Sequence, residues 1–100
     1  MQFPELPVER EKRINKIVDD ARFHSLLGKM PVSSARILRH IMIVGVITPS
    51  VLADACFSIP PEEVERYQFI RMIQNAVDLD AVVDTVLSEV ETGLQIGEMP

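Results

Sequence analysis

Few residues in this chain have side chains that could do chemistry. Its one cysteine is Cys56 and its two histidines are His24 and His40. A nucleophile needs a base within hydrogen-bond reach, and Cys56 lies in an apolar stretch far in sequence from either histidine. A free thiol in such a setting reads as a small core residue, since free cysteines are among the most buried side chains. Asp20 and His24 stand at i, i+4 and would share a helix face, but no further donor follows at a spacing that completes a metal shell. His40 follows Arg39 and reads as a helix-surface residue. No Gly-rich phosphate loop is present. These residues predict no catalytic group, no metal and no cofactor, so the expected activity is binding.

The groups able to bind are charges, and they are unevenly spread. Residues 1–50 carry eight Lys/Arg against five Asp/Glu, whereas residues 51–100 carry two against ten. After Arg71 the chain has no basic residue, while Asp78, Asp80, Asp84, Glu89, Glu91 and Glu98 follow. On a helix Asp80, Asp84, Ser88 and Glu91 form one outward stripe, with four-residue steps of about 6 Å. Together with Glu62, Glu63 and Glu65 these carboxylates are the candidate partner-binding residues. Their sign favours a protein partner with a basic surface over nucleic acid or anionic lipid. In size and charge the chain is similar to small acidic inhibitors encoded by phages, anti-CRISPR proteins among them. That class-level similarity rests on no motif. It implies an inhibitor whose acidic face occupies a basic groove meant for DNA or RNA.

Helices must position these groups. Val8 to Leu27 reads as one helix: Glu9 can pair with Arg13, Ile14, Ile17, Val18 and Ala21 keep helical spacing, and Gly28 with Pro31 supplies a stop. Phe23, Leu26 and Leu27 fall off that stripe and imply a second contact. Ser33 or Ser34 is the expected cap of the next helix, through Ile37, Leu38, Ile41 and Met42. Residues 43–47 are β-branched around a glycine, which leaves helix and strand both open, with a helix end near Gly45 preferred. Thr48 caps a short helix that begins at Pro49 and buries Val51, Leu52 and Ala55. The Pro60-Pro61 pair starts another, expected to run unbroken to Val77 with Phe69, Ile70, Ile73, Ala76 and Val77 inward. Asp78 caps the last helix, with Val77 and Val82 as a staple, and Gly93 ends it.

The stretch from Ile47 to Ile70 resembles the helix-turn-helix of bacterial and phage transcription regulators, on Ile47, Thr48, Pro49, Val51, Leu52, Ala53, Ile59, Pro60, Val64 and Tyr67. The resemblance implies a second helix that enters the DNA major groove. Its nucleic-acid-binding residues would be Arg66, Gln68 and Arg71, with Arg36 and Arg39 adding positive charge. Three acids open that second helix, and phosphate attraction dominates affinity for DNA. Protein binding is therefore the leading expectation and DNA-binding regulation the alternative.

Composition bounds the fold. One hundred residues with 47% apolar side chains, 30 of them Val, Ile or Leu, and no Trp make one domain with an aliphatic core. The expected architecture is all-α, a compact bundle of about five helices containing the helix-turn-helix-like pair. Residues 1–7 read as an extended arm, 8–93 as the helical domain and 94–100 as a frayed tail. The unpaired cysteine and the N-terminal residues predict a cytoplasmic protein. The longest apolar run, Ile41 to Ile47, is far below the roughly 20 residues of a membrane span. A short chain this rich in aliphatics has apolar surface to spare, so a homodimer is a further expectation.

Overall fold

Capping and packing together set the helix boundaries in the computed structural model, which describes residues 7–75 and 77–96. Among these residues there are seven α-helices and no strand: α1 (Pro7–Val18), α2 (Ala21–Lys29), α3 (Val32–Val44), α4 (Pro49–Phe57), α5 (Pro61–Arg66), α6 (Gln68–Asn75) and α7 (Leu79–Ile96). The all-α class holds. Seven helices replace the expected five because two of the expected helices are each broken once.

The first break falls at Asp20, whose backbone leaves the helical region (φ −84°, ψ 121°) and whose carboxylate accepts the Arg22 N–H at 2.9 Å. It thereby caps α2. The turn lets Ile14 and Ile17 reach the core from α1 while Phe23, Leu26 and Leu27 reach it from α2. Gly28 does not stop α2, which runs on to Lys29.

The second break falls at Tyr67, which is extended (φ −115°, ψ 112°). Tyr67 and Phe69 are both buried. In one continuous helix, side chains two residues apart point to opposite sides. The break allows both rings inside. Val77, expected inward, is fully exposed, so it forms no staple with the buried Val82. Ala76 lies outside the described residues.

Other boundaries follow the local sequence. α3 begins at Val32 behind Pro31 with no side-chain cap. Neither Ser33 nor Ser34 serves as that cap; Ser34 is fully buried and donates its hydroxyl to Glu63 Oε1 at 2.7 Å. α3 ends where expected, at Gly45 in the left-handed region (φ +79°), so residues 43–47 are a helix end and not a strand. Thr48 Oγ1 accepts the Val51 N–H at 3.2 Å and starts α4. The Asp78 carboxylate accepts the N–H groups of Asp80 and Ala81 at 3.1 and 3.2 Å and starts α7. α7 passes through the buried Gly93 to Ile96, beyond the expected stop.

The core is aliphatic, as composition requires. α7 supplies Val82, Val83, Val86, Leu87, Val90 and Leu94, and α6 supplies Phe69, Ile70 and Ile73. Each fully buried side chain of this size stabilises the fold by about 1.5–3 kcal/mol. α7 packs against α6, α1 and α2, while α4 bridges α3 and α6. The radius of gyration, 12.9 Å, matches the roughly 13 Å of a compact 100-residue domain. Among the described residues no helix is long and apolar enough to cross a membrane.

Candidate protein-docking surface

The carboxylate stripe of α7 is not open to solvent along its length. α1 lies against α7 and brings two arginines to it. Arg10 donates to Asp84 Oδ1 at 3.4 Å and, at the same distance, to the carbonyl oxygens of Asp80 and Gly45. Its guanidinium also stands 3.8 Å from the Asp80 carboxylate. Arg13 donates to Glu91 Oε1 at 2.6 Å and to Ser88 Oγ at 3.2 Å. The positive first half and the negative second half of the chain therefore meet along the partly exposed seam of α1 and α7. Asp84 and Glu91 serve first as the acceptors that seat α1, whereas the Asp80 side chain stays 75% exposed.

The other carboxylates divide. Glu63 accepts the Ser34 hydroxyl and ties α5 to α3. Glu62 and Glu65 are exposed on α5. Glu89, partly buried, is pushed above the ordinary carboxylate range by that burial, against the opposing pull of Arg71.

The nucleic-acid alternatives are scattered in their contacts. Arg66 lies over the Tyr67 ring, 5.5 Å from its centroid. Gln68 and Arg71 are exposed on α6. Arg36 on α3 stands 3.9 Å from the Asp54 carboxylate of α4. Arg39 is exposed and makes no ion pair among the described residues. The helix meant to enter the groove is the six-residue α5, ended by the break at Tyr67.

The potentially reactive residues stay apart. Cys56 is exposed, contrary to the buried position expected of it. Val51 and Ala55 form the buried face of α4, and Cys56, one residue further on, is turned about 100° away. Asp20 is taken by Arg22, with a 2.7 Å ion pair that holds its carboxyl at about 2, well below the usual range. His24 Nε2 instead lies 2.7 Å from the Val18 carbonyl oxygen. No group of three His, Cys, Asp or Glu side chains able to hold a metal occurs among the described residues.

A different surface emerges at the C-terminal end of α3. Ile43, Val44 and Val46 are 77, 45 and 41% exposed and line one hollow together. Ile43 and Val44 stand as a ridge between two hollows. One, of about 410 Å³, lies between α1 and α3 and is lined by Arg10, Glu11, Ile14, Asn15 and Met42 as well as the ridge. The other, of about 380 Å³, is bounded by Arg36, Arg39 and His40. Single exposed apolar residues are ordinary, whereas a contiguous apolar ridge beside hollows marks interaction surface. The sequence held a signal for it. With Ile37, Leu38, Ile41 and Met42 inward and Arg36 and Arg39 outward, helical spacing places Ile43 on the outward face. No family model, curated protein or solved structure matches the chain.

Proposed function

We propose that the chain is a non-enzymatic protein-binding module that docks through the Ile43–Val46 ridge. The observation carrying this reading is the placement in solvent of three aliphatic side chains that line one hollow together; the other exposed aliphatics among the described residues, Val8, Val32 and Val77, are far apart in sequence. Burial of such side chains is the main favourable term in protein association. Arginines at the border supply the charged rim common around apolar interface centres.

The acidic-inhibitor version of this function draws on fewer groups than the sequence suggests. A basic nucleic-acid-binding partner would meet Glu62, Glu65 and the exposed Asp80 readily, but would have to compete with Arg10 and Arg13 for Asp84 and Glu91. Regulation through DNA remains the alternative, resting on Arg66, Gln68 and Arg71.

Affinity capture with three versions of the chain separates these readings. The wild type and Glu62→Lys/Glu65→Lys are expected to retain the same bound chain, and Ile43→Glu to lose it. Loss with the charge reversal and retention with Ile43→Glu would move the site to the acidic edge. Salt-sensitive binding of duplex DNA abolished by Arg66→Ala or Arg71→Ala would support the regulator.

A further inference from the structure

An exposed aliphatic ridge stands directly beside a hollow of about 410 Å³. Ile43 and Val44 line both hollows, so they stand between the residues that line only one of them. On one side are Glu11 and Asn15 of α1, with Arg10 turned to Asp84, and Ile14 and Met42; on the other are Arg36, Arg39 and His40. Resting on the docking reading above, we infer that the occupant of this surface is a second copy of the chain, related by a twofold axis between ridge and hollow. Rotation about that axis reverses the order. Each ridge then enters the other copy's hollow, and each Arg39 comes over the other copy's Glu11. An isologous interface needs this kind of self-complementarity.

Charge favours a second copy over other occupants. Neither Arg39 nor Glu11 makes an ion pair among the described residues. Arg10 of the same hollow is already paired with Asp84, so an anionic peptide or lipid surface would suit Arg39 but face Glu11, and a cationic partner would do the reverse. A surface that carries both signs in reversed order suits both, and this chain's own surface has that order. The net charge of −5 opposes association in general, so the pairing of local opposite charges also decides how two copies meet.

Sedimentation equilibrium tests this. At about 500 µM, well above the micromolar range in which modest interfaces dissociate, the wild type is expected at twice its 11.3 kDa monomer mass. Ile43→Glu is expected to be monomeric throughout with an unchanged circular dichroism spectrum, since its side chain is exposed. Arg39→Glu and Glu11→Arg each place like charges together and are expected to weaken the dimer by about ten-fold or more. The double variant Arg39→Glu/Glu11→Arg is expected to recover most of that loss. A monomeric wild type, a dimer indifferent to Ile43→Glu, or a double variant no better than the singles overturns the proposal. Wild-type binding to phosphatidylserine vesicles that Ile43→Glu abolishes would assign the ridge to a membrane and also overturn it. A monomeric wild type that still loses a captured partner on Ile43→Glu would overturn the dimer alone and leave the docking reading standing.

Discussion

The seat of α1 on α7 can be taken apart with a double-mutant cycle. In Arg10→Ala, Asp84→Ala and the double variant, the pair under test has side chains 15 and 21% exposed, with a 3.4 Å contact. Exposed ion pairs contribute about 0.2–1 kcal/mol, whereas truncating one partner of a buried pair costs about 3–5 kcal/mol. This pair is mostly buried, but its contact is longer than the roughly 2.8 Å of a strong charge-assisted bond. A coupling of about 1–1.5 kcal/mol follows from that intermediate position. Asp84→Ala alone should cost about 2 kcal/mol, because Arg10 stays largely desolvated, and lower Tm by roughly 10 °C in a chain of this size. Arg13 and Glu91 are closer, at 2.6 Å, but 28 and 38% exposed. Their coupling should be about 0.5–1 kcal/mol and decline more with salt. Urea denaturation at low and high salt measures both. Couplings below about 0.3 kcal/mol that salt does not change would mean that Ile14 and Ile17 alone hold α1. The acidic stripe would then be free, against the structural reading.

Three further outcomes are expected. Asp20, with its carboxyl held at about 2 by Arg22 against an ordinary 3.8, should titrate with that low midpoint by carbon-13 NMR. Because the folded value is the lower one, its contribution to the α1–α2 corner is complete above about pH 4 and is lost as pH falls toward 2; a midpoint near 4 would break this account of the cap. Gly45→Ala should destabilise by about 1–2 kcal/mol in thermal melts, chiefly through left-handed backbone strain, since the added Cβ would lie an ordinary 3.4 Å from Ile14 Cδ1. Cys56 should react stoichiometrically with a disulfide reagent in the native state, and protection until unfolding would restore it to the core.

Much of the helical layout is legible from local chemistry. Thr48-Pro49 and Asp78 announce helix starts because the side chains that satisfy the first amides are close in sequence. Gly45 announces a stop because it takes a backbone conformation costly for other residues. The two breaks are harder to read. Asp20 lies in a run with acceptable helical spacing, and the off-stripe positions of Phe23, Leu26 and Leu27 are its main sign. Tyr67 carries no turn residue; its break is set by burial of two rings on a third dimension of packing that linear spacing does not encode. Cys56 escapes the usual burial of cysteine because Val51 and Ala55 already define the inner face of α4.

Charge shows the same division. The opposite signs of the two halves are plain in the sequence, but whether they face solvent or each other depends on which helices pack. The contact of α1 with α7 draws Asp84 and Glu91 of the expected binding surface into a seam with Arg10 and Arg13. The ridge is half legible: helical spacing turns Ile43 outward, while the hollow beside it exists only because α1 folds back across the end of α3.

The ridge as docking surface is tested most directly by placing a photo-cross-linking amino acid, in separate variants, at Ile43, Val46, Glu62 and Ala81 of the full chain in its native cells. The account predicts discrete adducts to another polypeptide, a second copy included, from positions 43 and 46, with little from 62 and 81. Adducts confined to positions 62 and 81, or equal diffuse labelling from all four, would contradict it.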